Sequence, residues 1–140
     1  MGREKKTPMR WAGVGMIAAA WAVAAGAFAA APDGFGQYLD NTFVSHHRDG
    51  VEYRVVYGAD RRFELTRKGG PDPGADFRAR GTYTVDPTGK VCFAFEAPAP
   101  RFPACVTQDI TKKVGESWDY TFAATGDVER HSLLPGRQLP

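Results

Sequence analysis

The residues that decide the fold are 81–107, GTYTVDPTGKVCFAFEAPAPRFPACVT. Gly81, Tyr83 and Val85 alternate with Thr82 and Thr84, the period-two pattern of a strand with one face inward. Asp86-Pro87-Thr88-Gly89 supplies a turn, since proline presets φ and glycine accepts a positive one. Val91, Phe93 and Phe95 then alternate with Cys92 and Ala94. Residues 96–103 hold three prolines, which cannot donate to a ladder, so the strand stops there. Cys105 restarts a strand with Val106 and Thr107. The only two cysteines of the chain, Cys92 and Cys105, thus face each other across a proline-rich loop. A bond closing a loop of about 14 residues stabilises a fold by roughly 3 kcal/mol, mainly by restricting the unfolded chain.

Working outward, strand signals recur at short, regular spacing. Strands are expected over 42–47, 51–57, 62–67, 77–85, 90–95, 104–111, 117–123 and 127–134. Turns carry Asp49-Gly50, Gly58, Gly115 and Thr125-Gly126, and Pro135-Gly136 ends the fold. In 51–57, Val51, Tyr53, Val55 and Tyr57 share one face and Glu52 and Arg54 the other. In 117–123, Trp118, Tyr120 and Phe122 alternate with Asp119 and Thr121. Residues 68–76, KGGPDPGAD, read as the most flexible loop. About eight antiparallel strands with hairpin connections predict an all-β meander, a small barrel either closed or half-open, with one disulfide.

The N-terminus explains why the cysteines are expected to be oxidised. Arg3, Lys5, Lys6 and Arg10 precede an uncharged run over residues 11–31, and Ala27-Phe28-Ala29 is a small-x-small cleavage site. This is the anatomy of a secretory signal peptide, cleaved after Ala29. An exported, periplasmic or extracellular, destination follows, and such compartments permit disulfides. The 21-residue run is also long enough to span a bilayer, so an uncleaved, membrane-anchored form is the alternative. After cleavage no stable membrane insertion is expected. The resulting division is a leader over 1–29, a mobile segment over 30–40, with one helical turn over 38–41, a single β-domain over 41–136 and a tail over 137–140.

Removing the leader changes the charge balance. The whole chain has 18 basic and 16 acidic residues, and the leader takes four basic and one acidic, leaving 14 against 15. No clustered basic face remains for nucleic acid. The exported part keeps 14 aromatic residues, enough for the core of one small domain.

The order of motifs resembles a family of small exported bacterial β-domains of uncharacterised function. The matching residues are Asn41-Thr42, Tyr53 and Tyr57, Gly81-Thr82-Tyr83-Thr84-Val85, Gly89-Lys90-Val91-Cys92, Cys105 and Pro135-Gly136. The family pattern has Gly before Asn-Thr, where this chain has Asp40. The resemblance implies a fold and an exported location, and it transfers no catalytic residue.

Candidate sites are few. His46, His47 and His131 are the only histidines. Neighbouring residues on a strand point to opposite faces, so His46 and His47 cannot share a site without a bulge. If the first and last strands pair, His131 comes near one of them, with Asp49, Asp127 or Glu129 at hand. A metal needs three or four ligands, and the histidines read as ordinary strand residues. No metal and no cofactor is assigned. Ser45, Ser117 and Ser132 lie in no nucleophile elbow, and no phosphate-binding loop exists, so no catalytic residue is assigned and enzyme activity is not expected.

Two binding surfaces remain. The barrel mouth offers Tyr53, Tyr83, Trp118 and Tyr120, which combine apolar bodies with polar tips and suit a small amphiphile. The braced loop 96–103 offers Arg101 and Phe102, which suit a protein partner such as an exported enzyme to be inhibited. The expectation is a non-enzymatic binding domain for an unidentified small molecule or exported protein.

Overall fold

The structure, a computed structural model, describes residues 31–140; the expected leader over 1–29 lies outside the described residues. Eight strands follow one another: β1 (Thr42–His46), β2 (Val51–Tyr57), β3 (Arg62–Gly69), β4 (Phe77–Val85), β5 (Lys90–Phe95), β6 (Cys105–Thr107), β7 (Ser117–Thr121) and β8 (Val128–Leu134). All named pairs are antiparallel, and the spatial order is β6-β5-β4-β3-β2-β1-β8-β7. The fold is thus all-β, one sheet curled into a half-barrel. Its edges are β6 and β7. Chain order is broken once, where β8 returns to pair with β1, Ser45 opposite His131.

The turns follow local chemistry. Gly50 takes φ 87° between β1 and β2, where the Val51 amide donates to Asp49 Oδ1. Between β4 and β5, Asp86 Oδ1 accepts from the Thr88 amide and hydroxyl and from the Lys90 amide. These bonds, the Thr88 hydroxyl foremost, hold the Asp86 carboxyl below its usual range.

Alternation places Phe43, Val55, Tyr57, Phe63, Leu65, Tyr83, Val85, Val91 and Leu133 together in the buried core. At Gly81 the inner face must stay bare, because a Cβ would lie 1.9 Å from the Ala94 carbonyl oxygen. The Cys92–Cys105 disulfide joins directly opposed residues and fastens the three-residue β6 to β5.

Four expected spans differ in the structure. The segment expected to be mobile, 30–40, carries a 3-10 helix over Asp33–Tyr38, so the helical turn begins earlier than expected at 38–41. Phe35 and Tyr38 are both 0% exposed. These two rings plug the core: Phe35 lies 5.3 Å from Tyr57 and 6.0 Å from Tyr83.

The sixth strand ends at Thr107, not 111. One further bond, from the Gln108 amide to the Gly89 carbonyl, follows the β5 register. Beyond it other partners take over: the Tyr38 hydroxyl donates to the Asp109 carbonyl, and Asp109 Oδ1 closes an Asx turn with Thr111. The seventh strand likewise ends at Thr121, not 123, where the chain tightens into the turn carrying Thr125 and Gly126.

The segment 137–140, expected as a tail, is hydrogen-bonded to the sheet. The Gln138 amide donates to Thr42 Oγ1, Arg54 donates to the Gln138 carbonyl, and Arg137 pairs with Glu64 at 3.1 Å. It crosses the outer face of β1, β2 and β3, where Thr42, Val44 and Val56 are buried.

Candidate functional site

The curl of the sheet leaves a cavity of about 450 Å³ on its concave side. Phe43, Tyr53, Val55 and Leu65 form its floor from β1, β2 and β3. Val106 and Gln108 bound it on one edge and Tyr120 and Phe122 on the other, with Phe102 alongside. The opening therefore lies where the two sheet edges fail to meet. Among the described residues, no lysine or arginine lines it.

One polar cluster breaks this apolar lining. Ser45 on β1 and His47 one residue past its end alternate, as do Glu129 and His131 on β8, and all four line the cavity. The Ser45 hydroxyl donates to Glu129 Oε2 at 2.7 Å. His131 Nε2 lies 2.9 Å from the same oxygen, and His47 Nε2 lies 3.0 Å from Oε1. The Glu129 side chain is only 8% exposed. A buried carboxylate is costly unless hydrogen-bonded, and these contacts satisfy it.

Burial pushes the His131 imidazole below its ordinary value, against the opposing pull of the Glu129 hydrogen bond and charge. Tyr120 stacks on His131 at 5.1 Å, and His47 meets Tyr53 at 5.1 Å. Deeper in, Gln108 Nε2 donates to the Tyr57 hydroxyl at 2.9 Å. Burial raises the Tyr57 hydroxyl far above the ordinary tyrosine range, and Tyr83 is pushed up to about 12 by burial.

The residues expected at the mouth divide. Tyr53 and Tyr120 line the cavity. Tyr83 does not: it packs in the core against Phe35 and Tyr57, its hydroxyl donating to the Gly58 carbonyl. Trp118 also stands off, against Phe43 and under the Lys112 ammonium at 5.4 Å. On the braced loop, Arg101 is exposed, whereas Phe102 turns inward onto Tyr53 at 5.3 Å and Phe93 at 5.7 Å. The two residues expected to act as one surface pair face different environments.

The histidines separate as strand geometry requires. His46 points outward to Glu52 at 3.2 Å, and His47 points inward. The pairing of first and last strands brings His131 to His47, with Glu129 as their shared acceptor. Among the described residues, no group of three or more His, Cys, Asp or Glu is placed to hold a metal ion. From the sequence, Glu129 is expected at hand for His131 and Ser45 is considered only as a nucleophile; the bond between Ser45 and Glu129 was not expected. The usable signal was a pair of polar residues two apart on each of two strands, Ser45-x-His47 and Glu129-x-His131, on faces that should be apolar.

Among the described residues, no helix is long and apolar enough to cross a membrane. No family, no curated protein and no solved structure matches the chain, so the resemblance to small exported β-domains stands on its motif residues alone.

Proposed function

We propose that this protein is an exported, non-enzymatic binding domain that holds a small, largely apolar molecule in the half-barrel. The observation that carries this reading is the cavity itself: about 450 Å³, walled by aromatic side chains, with one polar cluster to orient a guest. The leader pattern and the Cys92–Cys105 bond support export. Binding is preferred over catalysis because the Ser45 hydroxyl donates to a carboxylate, so no serine–histidine nucleophile pair forms. The alternative of a protein partner at loop 96–103 is weakened by Phe102, which packs inward and leaves Arg101 without an aromatic neighbour from its own expected pair.

The test is a fluorescence titration with N-phenyl-1-naphthylamine, a neutral apolar reporter. Saturable enhancement is expected for the oxidised protein. Val106→Trp, on the short edge strand, should fill the opening and abolish it while leaving the unfolding midpoint nearly unchanged. A reporter that fails to bind the wild type, or binds Val106→Trp equally well, sinks the reading.

A further inference from the structure

The polar cluster says more about the guest than the cavity volume does. Among the described residues, Glu129 is the one acidic side chain in the lining, and no lysine or arginine shares that lining. Its contacts come from a hydroxyl and two imidazoles: Ser45, His131 and His47. Such partners satisfy lone pairs without cancelling the charge so long as the imidazoles are neutral, and burial favours the neutral form of His131. A carboxylate offers about four lone-pair positions, and three are used. His47, whose side chain is 32% exposed, is the contact placed to yield to an incoming group.

The cavity that holds this charge is lined by rings: Tyr53 with Phe102 against it, and on the β7 side Tyr120 and Phe122, each 40% exposed. Aromatic faces attract cations, more strongly where water is excluded. A buried negative charge enclosed by rings repels anions and leaves a neutral guest without ionic pairing.

Resting on the reading of the cavity as a ligand site, we infer that its guest is an organic cation, an amine with an apolar body, whose ammonium head sits at Glu129 among the rings. The apolar body would extend toward Leu65 and Val55 on the floor.

The test compares three matched probes: 4-phenylbutylamine, 4-phenylbutan-1-ol and 4-phenylbutanoate. Each displaces N-phenyl-1-naphthylamine from the oxidised protein at about pH 8, where ordinary imidazoles are neutral and the amine is charged. The amine should bind at least tenfold more tightly than the alcohol, and the carboxylate most weakly. In Glu129→Gln the amine should lose about tenfold while the alcohol changes less than about twofold. Equal binding of amine and alcohol by the wild type overturns the inference and leaves the apolar cavity standing, as does tightest binding of the carboxylate. If neither reporter nor probe binds, the cavity reading falls and this inference with it. The wild-type ranking is decisive even if the glutamine variant does not fold.

Discussion

Ser45 and His131 stand directly opposite each other on β1 and β8, and both reach the same oxygen of Glu129, at 2.7 and 2.9 Å. One carboxylate therefore ties together β1 and β8, the pair that breaks chain order among the described strands. Its removal should be felt as stability. Glu129→Ala leaves a buried hydroxyl and imidazole without their acceptor, at about 1–3 kcal/mol for each group left unpaired. Glu129→Gln keeps the shape and one acceptor oxygen and should lose much less. Urea unfolding of the two variants checks this; equal stability of wild type and alanine variant would show that the cluster contributes nothing to folding.

The same cluster sets a pH dependence. The folded pKa of His131 is lowered, while in the unfolded chain it titrates near 6.5. Between those values the unfolded chain carries the proton and the folded one does not. Stability is therefore complete above about pH 6.5 and falls as pH drops toward the folded pKa, with a slope of at most about 1.4 kcal/mol per pH unit from this one group. The groups facing it are Glu129, Ser45, His47 and Tyr120. Asp86 and Asp109 also have lowered values, and their losses come separately, below about pH 4. His131→Gln keeps a donor for Glu129 but cannot titrate, so its unfolding midpoint should change less between pH 7 and pH 5. An identical slope in the variant would place the dependence elsewhere.

The strands were legible because period two was strict: Tyr53, Val55, Tyr57, Tyr83 and Val91 all lie inward as their alternation requires. The disulfide was legible from two cysteines flanking a loop that proline kept out of the sheet. The plug was not. Phe35 and Tyr38 lie three apart between glycines and a proline, and that composition resembles a loose linker until the sheet shows an open end to fill. The cavity residues were half legible. Alternation put Tyr53 and Tyr120 on the inner face, but which inner positions meet a void depends on curl and on the chain beyond β6. Trp118 and Tyr83 share that face and are packed. Glu129 was legible as a neighbour of His131 once β8 returns to β1, but its burial and its bond to Ser45 were not.

The disulfide should matter to the cavity as well as to the fold. The strand β6 has three residues, and its named ladder partner is β5 alone. Unclosed, a strand so short gains little from its own pairing. The paired replacement Cys92→Ala with Cys105→Ala is expected to lower stability by roughly 3 kcal/mol. It should also weaken binding of N-phenyl-1-naphthylamine several-fold, because Val106 and Gln108 bound the cavity from this segment. Unchanged binding with reduced stability would separate the two roles.

The helix over Asp33–Tyr38 gives the sharpest test of how the half-barrel is closed at its packed end. Gly34 lies against Ile110, and a Cβ there would fall 2.0 Å from the Ile110 carbonyl oxygen. Backbone on both sides cannot yield as a flexible side chain would. Gly34→Ala must therefore lift the helix away from 108–111 or distort that turn, and either movement strains the bond from the Tyr38 hydroxyl to the Asp109 carbonyl, now 2.7 Å. Phe35→Ala removes a ring with 0% exposure and leaves a void, at about 3–5 kcal/mol. The two variants act by different routes, clash and cavity, on one contact. Both should expose the Tyr57 and Tyr83 end of the core and speed amide exchange in 105–111 as well as in 33–38. Faster exchange confined to 33–38 would mean that the helix only covers the core and does not brace the chain leaving β6.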